Sequence, residues 1–143
     1  HRRIKSITDG HDMNFFRPAQ GAYTIEKFDA LVEKDYSMVM WNLDVQDWRS
    51  DITPEEILAR LTYAVRNPTA PARNEGKLAL ANLGLPRRGS YIMLAHDNND
   101  KMLKTVAGGQ TLLGAMIDEI EAAGYRIVTL NECLGVNGKG MGN

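Results

Sequence analysis

The sequence predicts an α/β fold built on a parallel sheet. Two observations carry this. Short, near-continuous apolar runs of strand length recur along the chain, the pattern of strands buried on both faces of a parallel sheet. Between them lie segments with helical apolar spacing and helix-start signals, so that strands and helices alternate as in successive βα units. The 143 residues amount to about one domain, and 43% hydrophobic residues are enough for a buried core.

Residues 1–8 read as the end of a helix stopped by Gly10. "MNFFRPA" (13–19) is predicted as a first strand, broken by Pro18. Thr24 is placed to cap a helix over about 25–35, with Ile25, Phe28, Leu31 and Val32 on one face. "SMVMWNLD" (37–44) is a second apolar strand that ends in an acid. Thr53-Pro54-Glu55-Glu56 is a strong helix start: a cap threonine, proline in the first turn and a glutamate in the capping-box position. Its apolar face runs through Ile57, Leu58, Leu61, Ala64 and Val65. Residues 67–88, punctuated by Pro68, Pro71 and Pro86, read as a long loop with one helical turn at "KLALANLG". "SYIMLAH" (90–96) is the third strand. "GGQTLLGAMIDEIEAAG" is a helix with Leu112, Leu113, Met116, Ile117 and Ile120 inward and Gly124 closing it. "YRIVTL" (125–130) is the fourth strand, and residues 136–143 form a flexible tail.

Lys+Arg 17 against Asp+Glu 18 leaves a net charge of −1, which offers no electrostatic footing for nucleic acid or an anionic membrane. The apolar runs are too short for a transmembrane helix, and no signal-peptide pattern opens the chain. The first residue is His1 rather than methionine, so a processed product or a fragment is expected. The single Cys133 is either a buried thiol or paired with something outside the chain.

In parallel sheets, ligand sites lie beyond the C-terminal strand ends. Arg17 ends the first strand, Asp44, Asp47 and Trp48 follow the second, and His96 ends the third. Each has an ordinary explanation alone: a backbone-satisfied histidine, turn aspartates, a core tryptophan, a surface arginine. Three strand ends offering complementary groups to one rim favour a site. A histidine beside a carboxylate suits acid–base work, because the carboxylate fixes its tautomer. An arginine can orient a second carboxylate, and a tryptophan gives a flat wall for a sugar. No phosphate loop, nucleophile elbow or zinc-spaced Cys/His cluster competes. His1, His11 and Asp12 are better read as incidental surface groups than as metal ligands.

Four stretches resemble the polysaccharide deacetylase family, also called the NodB-homology or family 4 carbohydrate esterases. "FFRPAQGAY" (15–23) is similar to its Arg-Pro-Pro-Tyr-Gly motif, "WNLDVQDW" (41–48) to Trp-x-x-Asp-x-x-Asp-Trp, and "SYIMLAHD" (90–97) to Leu-x-His. "GYRIVTLNECLG" (124–135) resembles the terminal strand, especially of fungal members. The likeness spans the chain apart from 67–88. It implies the second half of a distorted (β/α) barrel and a secreted or cell-wall hydrolase. Such an enzyme deacetylates N-acetylglucosamine polymers such as chitin, using a divalent metal, usually zinc. By this resemblance His96 is the general acid, Asp47 hydrogen-bonds it, and Arg17 holds the base aspartate. Trp48 and Leu94 wall the acetyl pocket, and the Gln20 N–H helps bind the oxyanion. Cys133 resembles a disulfide half whose partner lies near the start of the domain, outside these residues.

The chain departs from the family in two ways. Ala19 and Gln20 replace the second proline and the tyrosine, which bears on substrate fit. The Thr-Phe-Asp-Asp and His-x-x-x-His motifs, which carry the base and the metal ligands, are absent. The chain is therefore expected to be the C-terminal portion of such an enzyme, its partners being a polysaccharide substrate and the missing N-terminal half. The competing expectations are a catalytically degenerate glycan- or protein-binding module and an esterase on acetylated xylan.

Overall fold

A computed structural model describes residues 2–8, 13–67 and 90–135. The expectations placed on His1, Gly10, His11, Asp12, the loop from Pro68 to Arg88 and the tail 136–143 lie outside the described residues. In chain order the helices and strands are α1 (Arg2–Ile7), β1 (Phe15–Phe16), α2 (Ile25–Val32), β2 (Ser37–Met38), β3 (Leu43–Asp44), α3 (Pro54–Arg66), β4 (Met93–Leu94), α4 (Leu112–Ala122) and α5 (Leu130–Leu134). The fold is mixed α/β with parallel strand pairs. The chain divides into two compact units, one of Trp41–Ile127 and one of the residues on either side of it.

The unit Trp41–Ile127 holds the larger core. β3 and β4 pair in parallel, Leu43 opposite Met93 and Asp44 opposite Leu94. Asn42 lengthens this short ladder with its side chain, accepting from the Ile92 N–H at 2.6 Å and donating to the Ser90 carbonyl at 2.9 Å. α3 begins where the sequence places it. The Thr53 hydroxyl accepts from the Glu56 N–H, and the Glu56 carboxylate accepts from the Thr53 N–H, so two otherwise orphaned donors are satisfied. Its buried stripe, Ile57, Leu61 and Val65, meets Leu112 and Met116 of α4 together with Leu43, Val45, Ile52, Met102 and Val106. Each of the larger side chains wholly buried here contributes about 1.5–3 kcal/mol relative to exposure. α4 starts at Thr111, whose hydroxyl accepts from the Gly114 N–H. It ends in a Schellman motif, with Gly124 at φ 85°, its N–H on the Glu121 carbonyl and the Tyr125 N–H on the Ile120 carbonyl.

In the other unit β1 pairs in parallel with β2, Phe15 opposite Ser37 and Phe16 opposite Met38. α2 is capped by the Thr24 hydroxyl, and the Tyr23 and Phe28 rings meet at a tilt of 44° with centroids 6.4 Å apart.

Four expectations are corrected. The single strand 37–44 divides into β2 and β3, each with its own partner, and the boundary between the units falls between Met40 and Trp41. Residues 125–129 are not strand. Thr129 instead caps α5, its hydroxyl accepting from the Glu132 N–H at 3.3 Å, and Gly135 at φ 66° ends that helix. The apolar face expected of α2 is only partly covered among the described residues: Phe28 and Leu31 are half-buried, while Ile25 and Val32 are 63% and 51% exposed. On α4, Leu112 and Met116 are buried, but Leu113 and Ile117 face outward. The apolar stripe is wider than the surface that α3 covers. The two strand pairs are separate two-stranded sheets among the described residues, and neither closes into a barrel there.

Candidate functional site

The site grows from the C-terminal ends of β3 and β4. Parallel pairing carries Asp44 and Leu94 to the same level, so the two following loops, 45–51 and 95–101, leave the sheet side by side. The first loop is shaped by Asp44. One carboxylate oxygen accepts the Gln46 N–H at 2.7 Å, and the other accepts the Trp48 indole N–H at 3.3 Å. Gln46 adopts a left-handed conformation with φ 60°, unusual for a residue with a side chain, and this bend turns Asp47 inward.

Asp47 is wholly buried, 0% exposed. Both of its carboxylate oxygens go to one residue: Oδ2 accepts the His96 backbone N–H at 2.8 Å, and Oδ1 lies 2.9 Å from His96 Nδ1. An ionised carboxylate can only accept, so Nδ1 carries a hydrogen. Neutral His96 is therefore the Nδ1–H tautomer, and the nitrogen left to exchange a proton is Nε2. The side chain of His96 is about one third exposed, its relative accessibility being 34%. The buried anion and the half-open ring form a pair anchored at two points, the arrangement that orients an imidazole for proton transfer.

An open pocket of about 390 Å³ lies over this pair, lined by Trp48, His96, Asn98, Asn99 and Asp100. Trp48 is 58% exposed despite its size, and its indole N–H is held by Asp44. A flat apolar ring beside amide and carboxylate groups suits a ligand with both a C–H face and hydroxyls. Arg49 closes the loop from below, bonding both oxygens of Asp51 at 2.9 and 2.5 Å and the Gln46 side-chain carbonyl at 3.1 Å. The Arg49 hydrogen bond holds the Asp51 carboxyl well down, to about 2.

The contact between Asp47 and His96 expected from sequence is present, and Trp48 stands beside it. Leu94 is buried at the end of β4 and is not among the pocket's lining residues. Arg17 and Gln20 belong to the other compact unit. Arg17 is exposed just after β1. Gln20 is exposed within a 3₁₀ turn, Ala19–Gly21, at φ 55°. Within the unit Trp41–Ile127, the ends of β3 and β4 bring Asp47, Trp48 and His96 together. Asn98, Asn99, Asp100 and Lys101 carry no role in the sequence reading, yet the first three line the pocket. The signal was the uninterrupted polar run immediately after His96.

A zinc site needs three or four converging ligands. Among the described residues no group of three His, Cys, Asp or Glu side chains converges, and the Nδ1 of His96 is taken by Asp47. These residues do not fit the metal that the family resemblance implies. Cys133 is exposed rather than buried, and no disulfide is made among the described residues. No helix among them is long and apolar enough to cross a membrane. No family model, curated protein or solved structure matches the chain.

Proposed function

We propose that this chain supplies the proton-donating side of a hydrolase that removes acetyl groups from N-acetylglucosamine polysaccharides such as chitin. The observation that carries the proposal is the buried Asp47 carboxylate gripping both the backbone and the ring of His96, beside the exposed Trp48. In amide hydrolysis, water adds to the acetyl carbonyl, and the C–N bond of the tetrahedral intermediate then breaks. The amine is a poor leaving group until its nitrogen gains a proton. His96 in its protonated form donates that proton from Nε2, while Asp47 keeps Nδ1–H throughout and holds the ring in place. Trp48 gives the sugar ring a face to stack on.

The rest of the machinery belongs to the same proposal. Arg17 orients the base, and the Gln20 N–H helps stabilise the oxyanion. The zinc ligands and the base aspartate come from polypeptide outside the described residues, and the whole forms a (β/α) barrel of the polysaccharide deacetylase type. A secreted or cell-wall location follows from such a substrate. A second reading is a glycan-binding module without catalysis, and the lack of a three-ligand group among the described residues favours it. Deacetylation of acetylated xylan uses the same acid with an alcohol as leaving group. In protein expressed from its complete coding sequence, with zinc present, titration with chitin oligomers followed by Trp48 fluorescence, alongside acetate release from chitin and from acetylated xylan, separates the three. Binding with acetate release from chitin supports the deacetylase, and binding alone supports the module. Release from xylan alone supports the esterase. No response to either glycan overturns the proposal.

A further inference from the structure

Asp47 uses its carboxylate on His96, but its backbone carbonyl is also engaged. The Asn99 side-chain N–H donates to that carbonyl, and the Lys101 ammonium donates to it at 3.3 Å. The same ammonium donates to the Arg49 carbonyl. Asn99 in turn caps the 3₁₀ turn Asp100–Leu103, its side-chain oxygen accepting the Lys101 N–H at 3.1 Å. Two side chains from the loop after β4 therefore hold the backbone of the loop after β3, on either side of Trp48. Lys101 is half-buried and does not line the pocket. Its ammonium bridges the two loops.

We propose that Lys101 is a positioning residue for the Asp47–His96 pair, with Asn99 as its partner. The inference rests on the reading of that pair as the proton donor. Its physical basis is that Asp47 must stay buried and still for both oxygens to keep their partners. A residue at φ 60° directly before it leaves the loop with a strained bend to hold. The loop's own hydrogen bonds run from Asp44 and Arg49. Asn99 and Lys101 tie the Asp47 carbonyl to the loop that carries His96. An ammonium shared by two carbonyls is a charge-assisted clamp, stronger than a neutral bond.

The test uses the full 143-residue chain and follows the His96 Nδ1 proton by NMR, seen at low field while Asp47 shields it from exchange. The unaltered protein is expected to show this proton, Lys101→Arg to keep it, and Lys101→Met to exchange it with water at least about tenfold faster through local opening of the loop. The slowly exchanging amides of α3 and α4 are expected to stay unchanged in all three. An unaltered rate in folded Lys101→Met overturns the positioning role. Absence of the proton from the unaltered protein overturns the Asp47–His96 reading instead. Should Lys101→Met not fold, Lys101→Gln replaces it. The shorter amide cannot span both carbonyls, and the same acceleration is expected, with an unaltered rate again overturning the role.

Discussion

Replacing Asp47 by asparagine changes one oxygen to an NH₂ at constant size, and its consequence follows from the hydrogen bonds of a single residue. Asp47 accepts from the His96 backbone N–H at 2.8 Å and from the ring Nδ1–H at 2.9 Å. The backbone N–H can only donate, so it claims the one remaining oxygen. The new NH₂ then faces Nδ1, which must accept, and the imidazole is driven to the Nε2–H tautomer. Two hydrogen bonds survive in number, but both lose their charge assistance, a loss of about 1 kcal/mol each. The burial penalty of a charge at a position 0% exposed is relieved at the same time. The net destabilisation of Asp47→Asn is therefore expected to be about 1–2 kcal/mol. Asp47→Ala, which orphans the His96 N–H and leaves a cavity, is expected to lose about 3 kcal/mol or more. Denaturant unfolding reads the stabilities, and long-range ¹H–¹⁵N correlation reads the tautomer. A folded Asp47→Asn protein with hydrogen still on Nδ1 would refute the reasoning.

Other expected outcomes follow from the same structure. Leu61→Ala, at a wholly buried position between α3 and α4, is expected to lower stability by about 2–5 kcal/mol in denaturant unfolding. Thr53→Ala, which breaks the capping box of α3, is expected to lose about 1 kcal/mol in the same assay. Glu119 is held below its ordinary value near 4.5 by the hydrogen bond from Arg66. Its folded form thus releases the proton more readily than its unfolded form, and its contribution to stability is complete above the ordinary carboxylate value and fades as pH falls below it. Thermal midpoints of the unaltered protein and of Arg66→Met should therefore converge as pH falls from about 5.5 to about 3; a gap that widens would contradict the pairing. In equilibrium dialysis, residues 1–143 alone are expected to bind zinc no better than a generic surface. Stoichiometric zinc would require a metal site that the described residues do not supply.

What could be read from the sequence was local or lay at strand ends. The capping box at Thr53 and Glu56 needs only four consecutive residues, and α3 begins there. Asp47 and His96 could be paired because parallel strands place their C-terminal ends together. The break in 37–44 was hidden, because its apolar run is continuous and only long-range pairing decides that Ser37–Met38 joins β1 while Leu43–Asp44 joins β4. At 125–130, β-branched residues argued for a strand. The structure instead caps a helix there: the Thr129 hydroxyl accepts from the Glu132 N–H, and α5 begins at Leu130. Leu113 and Ile117 show that apolar spacing marks a face but not how much of it a neighbour covers. Lys101 was invisible for a different reason. Its partners are backbone carbonyls, which leave no mark in a sequence.

We propose that His96, held by Asp47, delivers a proton to the leaving amine of an N-acetylglucosamine unit. The most direct measurement is acetate release from chitin oligomers, with zinc present, by protein expressed from its complete coding sequence, comparing His96 with His96→Ala. Turnover is expected to fall by roughly 10²–10⁴-fold in His96→Ala. Binding of the oligomers, read through Trp48 fluorescence, should persist. Equal acetate release by the two proteins would contradict the claim.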